Sequence, residues 1–192
     1  MGIRKSNTVL VLASGGIDSA AVIKYYLSKN YMVSVLFYNY QQATKDKELK
    51  AIQSICDYYE VKLTKISLGF SLKNIKGEYV GRNALFLTIA LSFLPSSYSR
   101  VAMGIHSGTP YYDCSETFLL DYQEILDGYF GGTVLFEAPF LHFTKEQIID
   151  FCMTENVPIN LTYSCERGSE EICNECPSCI DRSVYLGKYD LM

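Results

Sequence analysis

The sequence predicts an α/β fold: a doubly wound, mostly parallel five-stranded sheet followed by a C-terminal four-cysteine module. Apolar runs of strand length alternate with amphipathic stretches of helix length, and the connections between them are short. Four of the seven cysteines then fall together after residue 164, where the alternation stops. Strands separated by helices pair in parallel and are covered on both faces. The predicted division is an α/β domain over residues 1–161 and a metal-binding tail over 162–192, packed on the same domain.

The first strand is the buried run Val9–Ala13, and after a glycine turn the stretch from Ala20 to Leu27 reads as an amphipathic helix. Val33–Tyr38 is the second strand. From Thr44 to Tyr59, Leu49, Ile52, Cys56 and Tyr59 share one helical face, with charges on the other. Val61–Ile66 alternates strictly, as a half-covered strand near a sheet edge should. Residues 67–81 show no period and read as a loop. Asn83–Leu94 is apolar nearly all round, which predicts a buried helix stopped by Pro95. Val101–Ile105 is the fourth strand. Asp113 and Glu116 form a capping pattern ahead of the apolar face of Phe118, Leu119, Tyr122, Ile125, Leu126 and Tyr129. Val134–Phe136 is the fifth strand, and Thr144 with Gln147 makes a capping box before Ile148, Ile149, Phe151 and Cys152.

Composition bounds the function. A chain of 192 residues suits one domain with a substantial core, and no apolar stretch reaches the ~20 residues of a membrane span. A net charge of −4 with interspersed signs gives no general basic field, so a nucleic-acid partner is not expected. The N-terminal residues turn directly into the first strand without a signal-peptide plan, so a cytoplasmic location is expected. In that setting, seven cysteines point to metal or redox chemistry rather than to disulfides.

Two motifs carry chemistry. Ser14-Gly15-Gly16-Ile17-Asp18-Ser19 lies between the first strand and first helix. Adjacent glycines allow close backbone approach, the helix start offers N–H groups to an anion, and two hydroxyls flank the turn. It lacks the Gly-Lys-Ser/Thr of a Walker loop and the three spaced glycines of a dinucleotide fingerprint. An ordinary strand-to-helix turn with Asp18 as a cap would carry a similar pattern. The second motif, Cys165-x7-Cys173-x2-Cys176-x2-Cys179, can give four thiolates to a tetrahedral ion, most simply Zn²⁺ in a structural role, while an iron–sulfur cluster also takes four thiolates. Cys56 and Cys152 read as small core residues.

The Ser14–Ser19 string resembles the pyrophosphate loop of the N-type ATP pyrophosphatases (the PP-loop enzymes), which share an adenine-nucleotide α-hydrolase-like, Rossmann-like fold. Further stretches resemble one family of them, the 7-cyano-7-deazaguanine synthases of queuosine biosynthesis. These are Gly81-Arg82-Asn83, Tyr112-Asp113-Cys114, Phe143-Thr144-Lys145-Glu146, and Thr162-Tyr163-Ser164-Cys165 with the three later cysteines. The likeness spans roughly residues 8–182.

The resemblance implies an ATP-dependent ligase that adenylates 7-carboxy-7-deazaguanine and passes it to ammonia, first giving an amide and then a nitrile. It implies that Ser14, Gly15, Gly16, Ser19 and Asn83 hold the nucleotide and that Asp18 positions Mg²⁺. Arg82 and Lys145 would be countercharges, and Tyr112 and Asp113 would bind the deazaguanine, with surface charges and a helix cap as the plainer readings of Arg82, Lys145 and Asp113. It also implies Zn²⁺ on Cys165, Cys173, Cys176 and Cys179, and a homodimer. Where the family has Tyr-Gly-Gln-Arg-His after the second strand, this chain has Tyr40-Gln41-Gln42-Ala43-Thr44, which loses two basic side chains. Three alternatives follow: a diverged ligase that stops at the amide or conjugates an amine on a protein, a PP-loop enzyme that modifies tRNA, and a zinc-dependent binding module without activity.

Overall fold

The computed structural model describes residues 7–75, 78–94, 97–106, 108, 110–168 and 171–189. Five strands form one sheet: β1 (Thr8–Leu12), β2 (Met32–Asn39), β3 (Lys62–Ser67), β4 (Arg100–Met103) and β5 (Leu135–Glu137). Their order is β3-β2-β1-β4-β5, and every pairing is parallel. Six helices accompany them: α1 (Ile17–Ser28), α2 (Lys45–Tyr58), α3 (Arg82–Leu91), α4 (Glu116–Phe130), α5 (Lys145–Thr154) and α6 (Pro177–Gly187).

Alternation of side chains along the central strands builds two cores. Val9 and Val11 of β1 face α1, α2, α5 and α6 together with Val33, Val35 and Phe37. Leu10 and Leu12 point the other way with Leu36, Tyr38, Val101 and Phe136, under α3 and α4. Every residue of β1 is therefore buried, as the middle strand of a doubly covered sheet must be. The chain winds outward from β1 to β3 on one face and crosses to β4 and β5 with its helices on the other. The direction reverses between β1 and β4, and the carboxyl ends of those two strands border the crevice where ligands of such sheets bind.

Details depart from the sequence expectation for identifiable reasons. The α3 helix is covered on one side only: Phe86, Leu87 and Ala90 are buried, whereas Leu85 and Ile89 are half-buried and Thr88 is exposed. The helix ends at Leu91, and Pro95, expected to stop it, lies outside the described residues. The cap of α4 is Ser115, whose hydroxyl accepts the Phe118 N–H, so Asp113 and Glu116 are not the capping pair. Thr144 and Gln147 do form the expected capping box. Helix α6, inside the cysteine tail, was not expected.

Cys56 and Cys152 sit in the core as read from the sequence, 1% and 0% exposed. Burial pushes both thiols up to about 12 from an ordinary value of 9.0. The folded chain then keeps protons that the unfolded chain releases above about 9, so this contribution is complete below that pH and is lost as pH rises towards 12. Burial raises Tyr26 and Tyr38 in the same sense. Urea midpoints measured in steps from pH 8 to pH 11 are expected to fall steadily above pH 9, and a Cys56→Ala, Cys152→Ala chain should fall less steeply.

Candidate active site

The Ser14–Ser19 loop leaves the carboxyl end of β1 at the reversal point. Gly15 takes a left-handed conformation, φ +89°, where a side chain is strained. A Cβ on it would also stand 2.8 Å from the Glu48 carbonyl oxygen and 2.9 Å from the Ile52 nitrogen, both backbone atoms of α2. Gly104, just past β4, is equally confined, since a Cβ there would meet the Asp18 carbonyl group at 2.9 Å. The glycines thus let the start of α1 settle between α2 and the end of β4. Gly15→Ala, which combines overpacking with a disfavoured φ, is expected to destabilise the chain by about 1–3 kcal/mol, read as a lowered thermal midpoint.

Hydroxyls tie the loop across its mouth. Ser19 Oγ accepts the Ser14 N–H at 3.0 Å, and the two hydroxyl oxygens lie 3.3 Å apart. Gly16 occupies the N-cap of α1, and no side chain caps that helix end. Its first-turn N–H groups are therefore not taken up by a side-chain cap, and together with the positive dipole end they suit an anion.

Asp18 is not a cap. Its carboxylate binds Lys145, whose Nζ donates to Oδ1 at 2.6 Å and Oδ2 at 2.8 Å. Lys145 is the first residue of α5, held by the Thr144–Gln147 capping box and by aromatic contacts of Phe140 with Phe143 and Phe151. A pair with 21% and 24% side-chain exposure leaves both groups within reach of a ligand.

A second group reaches the same carboxyl edge from the opposite face. Arg82, at the start of α3, donates to Tyr40 Oη at 3.4 Å and lies against the Tyr79 ring. The Asp113 carboxylate accepts the Asn83 N–H at 3.2 Å, and Asn83 Nδ2 donates to the Asp113 carbonyl at 3.1 Å. Asp113 therefore caps α3 rather than α4, one carboxylate oxygen being committed to the backbone. Tyr112 is 57% exposed and donates to Asp121 on α4, away from Asp113. Tyr40, Tyr79 and Gly104 are neighbours of this site that motif spacing did not single out. Gly104 at the end of an apolar strand was the one available signal, because glycine there marks a close backbone approach.

The divergent Gln41–Thr44 segment lies beneath the loop. Gln41 adopts a left-handed φ of +64°. Buried Gln42 accepts the Tyr40 N–H and donates to Tyr38 O and Glu48, while buried Thr44 donates to Glu48 as well. Ala43 meets Gly168 of the tail so closely that a Cβ on that glycine would come within 2.6 Å of its carbonyl oxygen.

The four tail cysteines converge, with all Sγ atoms within 4.8 Å of one another and Cys173 Sγ 3.9 Å from Cys179 Sγ. Tetrahedral zinc with bonds near 2.3 Å needs sulfur separations of about 3.8 Å, so the set fits with small adjustments. Burial opposes ionisation of Cys165, but the N–H groups of Cys173 and Arg167 outweigh it and lower its thiol to about 6. The cluster can hold a metal ion. It adjoins the loop directly, because the Tyr163 N–H donates to the Gly15 carbonyl at 3.0 Å.

A family model described as "Queuosine biosynthesis protein QueC" matches residues 8–80 and 71–190. The 7-cyano-7-deazaguanine synthase of Prochlorococcus marinus (strain MIT 9312) is 30% identical over an aligned 217 residues, covering 96% of each chain. That of Campylobacter jejuni subsp. doylei (strain ATCC BAA-1458 / RM4099 / 269.97) is 28% identical over 209 residues, covering 92% of each. Among solved structures, the NH3-dependent NAD synthetase from Campylobacter jejuni superposes with a TM-score of 0.51 at 20% identity, over 82% of this chain and 67% of that one. NMN synthetase from Francisella tularensis gives 0.50 at 16% identity, over 93% and 77%. These two similarities establish the fold. None of the helices among the described residues is long and apolar enough to cross a membrane.

Proposed function

Because the chain belongs to the QueC family of queuosine biosynthesis proteins, we propose that it is an ATP-dependent ligase that adenylates 7-carboxy-7-deazaguanine and passes the acyl group to a nitrogen nucleophile. With ammonia this gives the amide, and a second activation gives 7-cyano-7-deazaguanine. The observation that carries the reading is the Ser14–Ser19 loop at the sheet's reversal point, with Lys145 paired to Asp18 at its rim.

In this reading Ser14, Gly15, Gly16 and Ser19 hold the departing pyrophosphate through backbone N–H groups and hydroxyls, and Asn83 braces the nucleotide side of the crevice. Lys145 turns from Asp18 to the phosphates, where negative charge builds as the carboxylate attacks. Asp18, so released, is the carboxylate that would hold Mg²⁺ together with substrate oxygens. Arg82, anchored by Tyr40, receives the acid. Asp113, with Tyr112 moving towards it, accepts N–H groups of the deazaguanine edge. Residues 1–161 form the catalytic domain. Residues 162–192 form the tail, in which Cys165, Cys173, Cys176 and Cys179 would hold Zn²⁺ as a structural ion. Exposed Ile125 and Tyr129, one turn apart on α4, offer an apolar face to a second copy in a homodimer. The enzyme works in the cytoplasm.

A second reading follows from the segment beneath the loop. Ala43 carries no charge and Thr44 is buried against Glu48, so neither supplies the basic side chains of the family pattern. A ligase that stops at the amide, or accepts an amine on a protein, fits that departure. Incubation with ATP, Mg²⁺, the deazaguanine acid and ammonia separates the readings. AMP with nitrile supports the first, AMP with amide alone supports the second, and absence of AMP with any deazaguanine acid refutes both.

A further inference from the structure

Beyond holding its ion, the tail carries one side chain that braces the short segment lying on the nucleotide loop. Helix α6 starts on the cluster, with Cys176 at its N-cap, Pro177 at its first position and Cys179 in the first turn. Arg182 lies one turn further on and is half-buried. Its Nη1 donates to Thr162 Oγ1 at 2.7 Å and Ser164 Oγ at 3.3 Å, and its Nη2 donates to Ile159 O at 2.9 Å.

All three acceptors are neutral. Among the described residues, no carboxylate stands within ion-pair distance of this guanidinium, and Cys179 of the cluster lies one turn before it on α6. A charge partly withdrawn from water needs an opposite charge nearby. Four thiolates around a dication carry a net charge of −2, which Arg182 offsets in part.

The geometry points to Arg182 as a positioning residue that couples the four-cysteine cluster to the pyrophosphate loop. Its two hydroxyl acceptors bracket Tyr163, whose N–H holds the Gly15 carbonyl. Cys165 fixes the far end of the same short strap. The cluster therefore acts on Gly15 along the chain through Cys165 and through space through Arg182. Loss of either support frees the strap and, with it, the loop, while the buried sheet stays intact. The inference rests on the metal-bearing tail of the proposed function but is independent of any adenylation step.

The test uses the full-length, metal-loaded protein and compares Arg182→Met and Arg182→Lys with the wild type. Two quantities are read: transfer of the ion to a chromogenic chelator, and amide hydrogen exchange of peptides spanning residues 14–19 against those spanning β1 and β2. For Arg182→Met the ion should be held about 10–100-fold more weakly, the usual effect of losing a residue that supports the ligands. The loop should also exchange about tenfold faster, with the strands unchanged. Arg182→Lys keeps the charge but not the fork, so it should hold the ion nearly as well as the wild type while the loop still exchanges faster. Wild-type retention of the ion in Arg182→Met, or unchanged loop exchange in either variant, overturns the inference, as does a wild-type protein that binds no metal. If Arg182→Met does not fold, loop exchange in Arg182→Lys decides. A protein that shows the coupling yet forms no AMP would refute the proposed function and leave this inference standing.

Discussion

Replacing Lys145 by methionine is expected to lower kcat for AMP formation by about 10²–10³, the usual effect of removing one preorganised charge from a site where negative charge develops. The ammonium is held at 2.6 and 2.8 Å from the two Asp18 oxygens at the first position of a capped helix, so it waits at the rim of the loop, a side-chain rotation from the phosphates. Because the pair is partly exposed, it should add only ~0–1 kcal/mol to stability. The thermal midpoint of Lys145→Met is accordingly expected to stay within a few degrees of the wild type. Lys145→Arg keeps the charge and should recover part of the rate. Equal losses in Lys145→Met and Lys145→Arg, accompanied by a large fall in midpoint, would mean that the lysine serves the fold rather than the chemistry.

The second large effect concerns the tail. Cys176 is 6% exposed, caps α6 and donates its N–H to Cys173 Sγ at 3.3 Å, so it is both a ligand candidate and the hinge of the cluster. Cys176→Ser is expected to abolish stoichiometric metal. The cost should be about 3 kcal/mol or more, which at ~2–4 °C per kcal/mol lowers the midpoint by roughly 6–12 °C. Exhaustive chelation of the wild type should give the same shift, and re-addition of Zn²⁺ should reverse it. Cys114→Ser, at a thiol outside the cluster, is the control and should leave the metal content unchanged.

Much of the fold was legible because it depends on local pattern. Strict alternation in Val61–Ile66 placed that strand near a sheet edge, and β3 is an edge strand. Strand–helix alternation gave five parallel strands, and the Thr144–Gln147 capping box marked the start of α5 within a residue. Helix α6 escaped because its signals, Cys176 at the cap and Pro177 at the first position, overlap the metal motif, and among its apolar residues only Leu186 is buried in the core. The α4 cap was misplaced because Asp113 and Ser115 both suit the role locally, and only the approach of α3 shows which helix each serves.

The site was legible as an inventory of residues rather than as an arrangement. Asp18 and Lys145 are 127 residues apart in sequence, and no periodicity links them. Gly15 reads as a flexible turn residue in isolation, but its necessity comes from the backbone of α2 lying against it. The altered Gln41–Thr44 stretch read in sequence only as a loss of two basic side chains. In the fold it also forms a buried network of Gln42, Thr44 and Glu48 beneath the loop, with Gln41 in the left-handed region where the family pattern has glycine.

In the proposed reaction the carboxylate attacks the α-phosphate of ATP, releasing pyrophosphate and carrying one carboxylate oxygen into AMP. Supplying 7-carboxy-7-deazaguanine with both carboxylate oxygens as ¹⁸O and following the label by mass spectrometry tests it directly. One heavy oxygen is expected in each AMP formed. The amide should retain the other, and the nitrile should retain none because its oxygen leaves in a second AMP. Label appearing in inorganic phosphate alongside ADP, or unlabelled AMP, would contradict the account.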